Sequence, residues 1–120
     1  MESKALGPVE SQFANIIWDH EPLYSRELVA LCEQKLSWKK PTTYTVLRKL
    51  IERGMFQNRE SIVTSRISRS DFYMMQGEEL VKDAFAGSFP AFVKAYMKRN
   101  PLSEEDIQEI EKSIRTAKQD

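Results

Sequence analysis

The stretch Trp38–Gly54, WKKPTTYTVLRKLIERG, decides the fold. Pro41 suits the first position of a helix, where no backbone N–H is needed. Val46, Leu47, Leu50 and Ile51 then recur at helical spacing, with Thr43 beside them, and form a face to be buried. Gly54 is the expected left-handed residue that ends the helix. At about 100° per residue the opposite face carries Pro41, Thr45, Arg48 and Glu52, flanked by Thr42, Tyr44 and Lys49. This is a helix with one apolar side and one polar side that carries Arg48 and Lys49.

Downstream, Met55–Arg59 and Ile62–Ser68 read as two short strands, with a turn at Asn58-Arg59-Glu60-Ser61. The second is rich in Ile, Val and Thr, which favours strand over helix. Upstream, Gly7-Pro8 opens a helix carrying Val9, Phe13, Ile16 and Ile17 on one face, and Asp19-His20-Glu21-Pro22 ends it. Ser25 is the expected N-cap of a second, short helix, with the stripe Leu28, Leu31, Cys32, that finishes around Lys35–Ser37. Three helices with a short second connection, followed by a hairpin, make a winged helix-turn-helix pattern. In such a fold the third helix, about 41–53, enters the major groove of DNA.

From Ser70-Asp71 onward the chain reads as helical. Leu80, Val81, Ala84 and Phe85 form one stripe, broken by Gly87. Phe89, Phe92, Val93, Tyr96 and Met97 form a second, broken by Asn100-Pro101. Ser103 caps a last helix with Glu104, Glu105 and Asp106 in its first turn and Ile107, Ile110, Ile114 and Ala117 along its edge. About 50 residues in three short helices cannot bury so many large apolar side chains alone. The expected cover is the same segment of a second chain, which makes Phe85, Phe89, Phe92, Val93, Tyr96, Met97, Ile107, Ile110 and Ile114 a dimer interface. The fold class expected is mainly α with a small β-hairpin wing: a DNA-binding domain over residues 1–69 and a three-helix dimerisation domain over 70–120.

Charge supports the division. The 120 residues hold 18 Lys and Arg and 18 Asp and Glu, a net charge of zero that discourages a nucleic-acid reading at first sight. Neutrality is a sum of unlike parts. Residues 1–34 carry −4, residues 35–69 carry +7, and residues 70–120 carry −3. The basic block lies on and after the third helix, and such a block is the footprint of phosphate binding.

At this level of detail the chain resembles the BlaI/MecI/CopY family of penicillinase, methicillin-resistance and copper-transport repressors. The resemblance rests on Asn15-Ile16-Ile17-Trp18-Asp19 in the first helix and on Trp38, Thr42, Tyr44-Thr45-Val46, Leu50 and Arg53-Gly54 in the third. Ser70-Asp71-Phe72, Phe89, Val93 and Leu102-Ser103-Glu104-Glu105-Asp106-Ile107 extend it. It implies a homodimeric repressor on a double-stranded DNA operator with two-fold symmetry. By this resemblance Thr42, Tyr44, Thr45 and Lys49 reach bases or nearby phosphates, and Lys39, Lys40, Arg59 and Arg66 contact the backbone. Family members are often inactivated by proteolysis in the dimerisation region. In the antibiotic-resistance repressors the cut bond joins Asn and Phe, and the matching residues here are Ala95 and Tyr96. The copper branch carries a C-terminal cysteine cluster, whereas this chain has Cys32 alone. The hairpin is also several residues shorter than in the antibiotic-resistance repressors.

Other chemistries find little purchase. One His and one Cys offer neither a metal site nor a nucleophile–base–acid set, and four scattered glycines make no phosphate loop. No catalytic residue, metal or cofactor is expected. No apolar run reaches the ~18 residues of a membrane span, and single-cysteine usage fits the cytoplasm. The competing reading is a winged-helix adaptor that binds protein and not DNA.

Overall fold

A computed structural model describes residues 5–118. The chain forms two compact units, one up to Gly77 and one from Glu78 onward.

In the first unit, α1 (Pro8–His20), α2 (Ser25–Leu36) and α3 (Lys40–Glu52) pack around a common core. The wing is β2 (Phe56–Arg59) and β3 (Ile62–Ser65), joined by a third strand, β1 (Leu23–Tyr24), in the antiparallel order β1-β3-β2. Leu23 pairs with Val63 and Tyr24 with Ile62. Phe13, Ile17, Leu28, Leu50, Phe56 and Val63 are fully buried. Each such side chain contributes roughly 1.5–3 kcal/mol by leaving water. Trp38 stacks on Phe13 at 5.5 Å, and Trp18 spans Phe56 and Phe72 while its indole N–H donates to Ile67 O at 3.0 Å.

Both ends of the α2–α3 turn have local causes. Ser37 adopts φ 57°, which reverses the chain in three residues before α3 starts. Gly54, at φ +81°, ends α3. Its N–H donates to Ile51 O at 2.9 Å, and Met55 N–H donates to Leu50 O at 3.1 Å, the paired bonds of a Schellman motif with buried Met55 as its apolar contact.

Several expectations need correction. Pro41 is the second residue of α3, not the first, since Lys40 already has helical geometry. Ser25 is not the cap of α2. Tyr24 holds that position, with its N–H donating to Glu27 Oε1 at 3.2 Å, while Ser25 is buried and its N–H donates to Ser61 O at 2.8 Å. Strand β1 takes the residues just before the helix and shifts the cap back by one. Val9 is half exposed because the core packs along the later turns of α1, through Phe13, Ala14, Ile16 and Ile17. Strand β3 stops at Ser65, three residues earlier than expected, because Met55 donates its N–H to Leu50 O at the end of α3 and its carbonyl takes both Arg66 N–H and Ile67 N–H, so the ladder goes no further.

The next helix, α4 (Arg69–Ala84), starts one residue before Ser70, with Ser68 Oγ accepting from Asp71 N–H at 3.0 Å. Its first turns belong to the first unit, because Phe72 is buried there against Trp18. The boundary between the two compact units thus falls at Gly77/Glu78, inside α4.

The second unit continues with α5 (Phe89–Arg99) and α6 (Glu104–Lys118). Ala86 and Gly87, at φ 51° and 77°, turn the chain after α4. Ser88 caps α5 through Ala91 N–H at 3.1 Å, and Ser103 caps α6 through Asp106 N–H at 3.1 Å. Among the described residues no helix is long and apolar enough to cross a membrane.

Candidate nucleic-acid interface

The solvent side of α3 carries the residues singled out by the sequence. Lys40, Pro41, Thr42, Thr45, Arg48 and Lys49 are all exposed, as is Lys39 at the N-cap. Tyr44 is half-buried and packs against the core edge, with Lys40 Nζ 6.0 Å from its ring centre. Its ring thus shapes the border of the face more than it projects from it. The Thr45 hydroxyl donates to Pro41 O at 2.9 Å, which leaves its oxygen lone pairs to accept from outside.

Two features of this face were not legible in the sequence. Lys49 is not an isolated cation. Its Nζ lies 3.0 Å from Glu10 Oε2 on α1. The other carboxylate oxygen, Oε1, accepts from Gly7 N–H at 3.2 Å. Lys49 and the Gly7 N–H together hold the Glu10 carboxyl below the usual carboxylate range, with Arg53 adding to the effect. Thr43, on the inner side of α3, is fully buried, and its Oγ1 has no partner in hydrogen-bond geometry. It sits near enough to the buried Cys32 thiol to favour the thiolate slightly, although burial dominates and pushes that thiol's pKa up. A buried thiol of raised pKa is a poor nucleophile.

The wing presents Arg59 on β2 and Arg66 just past β3, both exposed, on a hairpin braced from two sides. Gln57 Nε2 donates to Thr64 Oγ1 across the ladder at 3.0 Å. Glu21, just past α1, accepts from Ser65 N–H and Oγ at 2.8 Å, which anchors β3 to the helical layer. The wing turn is a two-residue loop, Glu60-Ser61, since Arg59 pairs with Ile62. Both turn residues have positive φ, 52° and 66°, as a type I′ hairpin turn requires.

A polar cluster ties α1 to the start of α4. Arg69 donates to Asn15 Oδ1 at 3.0 Å and pairs with Asp19, while its guanidinium lies 5.6 Å from the Trp18 ring. Arg69 holds the Asp19 carboxyl below its ordinary value. This arginine, counted in the basic block, is thus partly neutralised within the unit.

In the second unit, Phe92 contacts Phe85 edge-on at 5.5 Å and Phe89 and Tyr96 at 6.3 Å each. These rings meet, yet the surface stays apolar. Phe89 is 64% exposed, and Tyr96, Met97, Ile107, Ile110 and Ile114 are exposed too, while Phe85, Phe92 and Val93 are half-buried. Ala95 is half-buried beside Tyr96 in the middle of α5. Among the described residues no three His, Cys, Asp or Glu side chains gather as a metal site.

Three helices, a small three-stranded sheet and an exposed third helix bearing lysines and an arginine define a winged-helix protein. The comparisons with known proteins are more particular. The penicillinase repressor family matches residues 6–116. A penicillinase repressor of Bacillus licheniformis is 22% identical over 109 residues, covering 88% of this chain and 85% of its own. The methicillin resistance regulatory protein MecI of Staphylococcus aureus is 19% identical over 109 residues, covering 88% and 89%. The chain belongs to the penicillinase repressor family and is a transcriptional regulator of the repressor type, not an enzyme.

Proposed function

We propose that this protein represses transcription as a homodimer on a two-fold operator, with α3 in the major groove and the wing beside it. The observation that carries the reading is the outer face of α3. Lys39, Lys40, Thr42, Thr45, Arg48 and Lys49 are exposed together on one short helix, in the segment that holds the chain's positive charge. Lysine and arginine neutralise phosphates and position the helix, while threonine and arginine side chains read base edges. In this reading Arg59 and Arg66 on the wing, together with Lys39 and Lys40, bind the backbone. Tyr44 and Pro41 contribute surface at the helix N-terminal half.

The second unit pairs two readers. A monomer leaves Phe89, Tyr96, Met97, Ile107, Ile110 and Ile114 in water, and a second copy would cover them. The domain division follows the same logic: residues up to about 70 read DNA and the remainder joins two copies, with α4 linking the two functions. A regulatory protease that cuts near Ala95–Tyr96 would have to open the middle of α5 first.

The test is selection of binding sites from a pool of random duplexes, with the mass of the free protein measured in solution. Recovered sites should be two-fold symmetric, with half-sites about one helical turn or a multiple apart. The mass should be twice the 14.0 kDa of the chain. Failure to enrich any sequence, with no salt-dependent affinity for duplex DNA, would favour the protein-binding adaptor. A mass of one chain at micromolar concentration would end the dimer reading.

A further inference from the structure

We infer that Glu10 restrains the binding of α3 to DNA: it holds Lys49 in an intramolecular ion pair with which a phosphate must compete. The inference rests on the operator reading above. Glu10 lies on α1, outside the surface assigned to DNA, but its carboxylate reaches the α3 face. Oε2 stands 3.0 Å from Lys49 Nζ, and Oε1 accepts from Gly7 N–H at 3.2 Å. The second bond matters, because it locks the carboxylate at the start of its own helix and leaves it less free to follow Lys49. Glu10's side chain is only 22% exposed, whereas that of Lys49 is 62% exposed. The lysine is therefore accessible to a phosphate, and the glutamate is the fixed partner it must leave. A carboxylate in this position occupies the role of a phosphate oxygen. DNA gains Lys49 only by displacing Glu10, and the displaced carboxylate then faces a polyanion. Arg53 lies near enough to act on the same carboxylate.

Such a pair lowers affinity for every sequence alike. The penalty is the larger fraction of the total on non-specific DNA, where phosphate contacts supply nearly all the binding. It leaves the ratio of operator to random-sequence affinity unchanged and lowers the amount of protein held on random sequence at a given concentration.

Glu10→Gln tests this while keeping an oxygen that can accept from Gly7 N–H. Binding of the full chain to a 30-base-pair random-sequence duplex would be followed by fluorescence anisotropy from 50 to 200 mM salt. E10Q should bind about two- to five-fold tighter per protomer at low salt, the range of an exposed ion pair. Its salt dependence should steepen, by at most ~0.9 per protomer, so that the gain is largely lost by 200 mM. The same substitution in a Lys49→Ala background should change affinity by less than about 1.5-fold, because the partner is gone. Thermal melts of all four proteins establish that each is folded. Unchanged affinity in E10Q overturns the inference, as does an equal gain with and without Lys49, which would mark a bulk charge effect. Wild-type protein without salt-dependent binding to the duplex would overturn the operator reading and this inference with it.

Discussion

Arg48 and Lys49 are neighbours on α3 with the same charge, yet their alanine variants should behave differently. Lys49 starts from an ion pair with Glu10, and among the described residues Arg48 has none. A phosphate that recruits Arg48 gains its full charge. One that recruits Lys49 first breaks a pair worth ~0.2–1 kcal/mol and leaves a carboxylate that takes up a cation again. Each phosphate contact contributes ~0.9 to the slope of log affinity against log salt. In a dimer, Arg48→Ala removes two such contacts, or a slope of ~1.8. Between 50 and 200 mM salt, wild-type affinity should then fall about 12-fold further than that of the variant. Lys49→Ala should flatten the slope less, because the ion it would have released is partly recaptured at Glu10. The assay is anisotropy on a selected site at four salt concentrations, with thermal melts alongside. Arg48→Ala alters an exposed side chain and should keep stability within about 0.5 kcal/mol. A slope flattened as much by Lys49→Ala as by Arg48→Ala would refute the role given to the ion pair. No change in either variant would take the outer face of α3 off DNA.

Further expectations follow from particular contacts. Replacing Glu60-Ser61 with Asn-Gly suits the two positive φ angles and should stabilise the first unit by ~1 kcal/mol, raising its melting temperature by about 4–8 °C; an unchanged Tm would count against the turn geometry. Thr43→Val removes a buried hydroxyl that lies outside good hydrogen-bond geometry and meets only weak bonding from the Cys32 thiol, and should stabilise by about 1 kcal/mol in a denaturant titration, whereas destabilisation would show that the contact with Cys32 satisfies the hydroxyl. Arg69 depresses the Asp19 pKa below its ordinary 3.8, so the pair contributes stability above that value and loses it as pH falls through the depressed one. Asp19→Asn should therefore flatten the acid limb of a Tm-versus-pH curve below about pH 4, and an unaltered limb would assign that limb to other carboxylates. Phe89→Asp places a charge on the exposed apolar stripe of the second unit and should halve the mass in solution while leaving the first unit's melt unchanged; a retained dimer would place the interface elsewhere.

The elements most legible in the sequence were those whose signals are local. The α3 stripe Leu47, Leu50 and Ile51 and the Gly54 stop are read within one helix, and the structure reproduces them. The caps Ser88 and Ser103 are equally local, and Ser103 was identified from its acidic first turn. Strand β1 escaped because two residues have no period; Leu23 and Tyr24 are a strand only by pairing with Val63 and Ile62. That same pairing moved the start of α2 and took the cap from Ser25. Phe72 carried a family resemblance but no sign of which unit would bury it, and its contact with Trp18 places the start of α4 in the first compact unit.

The basic face was visible as composition, while its effective charge was not. A run of helical spacing places Arg48 and Lys49 side by side toward solvent, since side-chain direction follows from the backbone period. Whether such a cation is available depends on what comes within 4 Å of it. Glu10 is 39 positions from Lys49, and Asp19 is 50 from Arg69. Local sequence therefore determined the helices, their faces and the family's order of elements, because propensity, periodicity and capping act over one or two turns. The tertiary structure decided which charges are already spoken for, because an ion pair depends on distance in space, and only the packing of α3 and the start of α4 against α1 brings those side chains together.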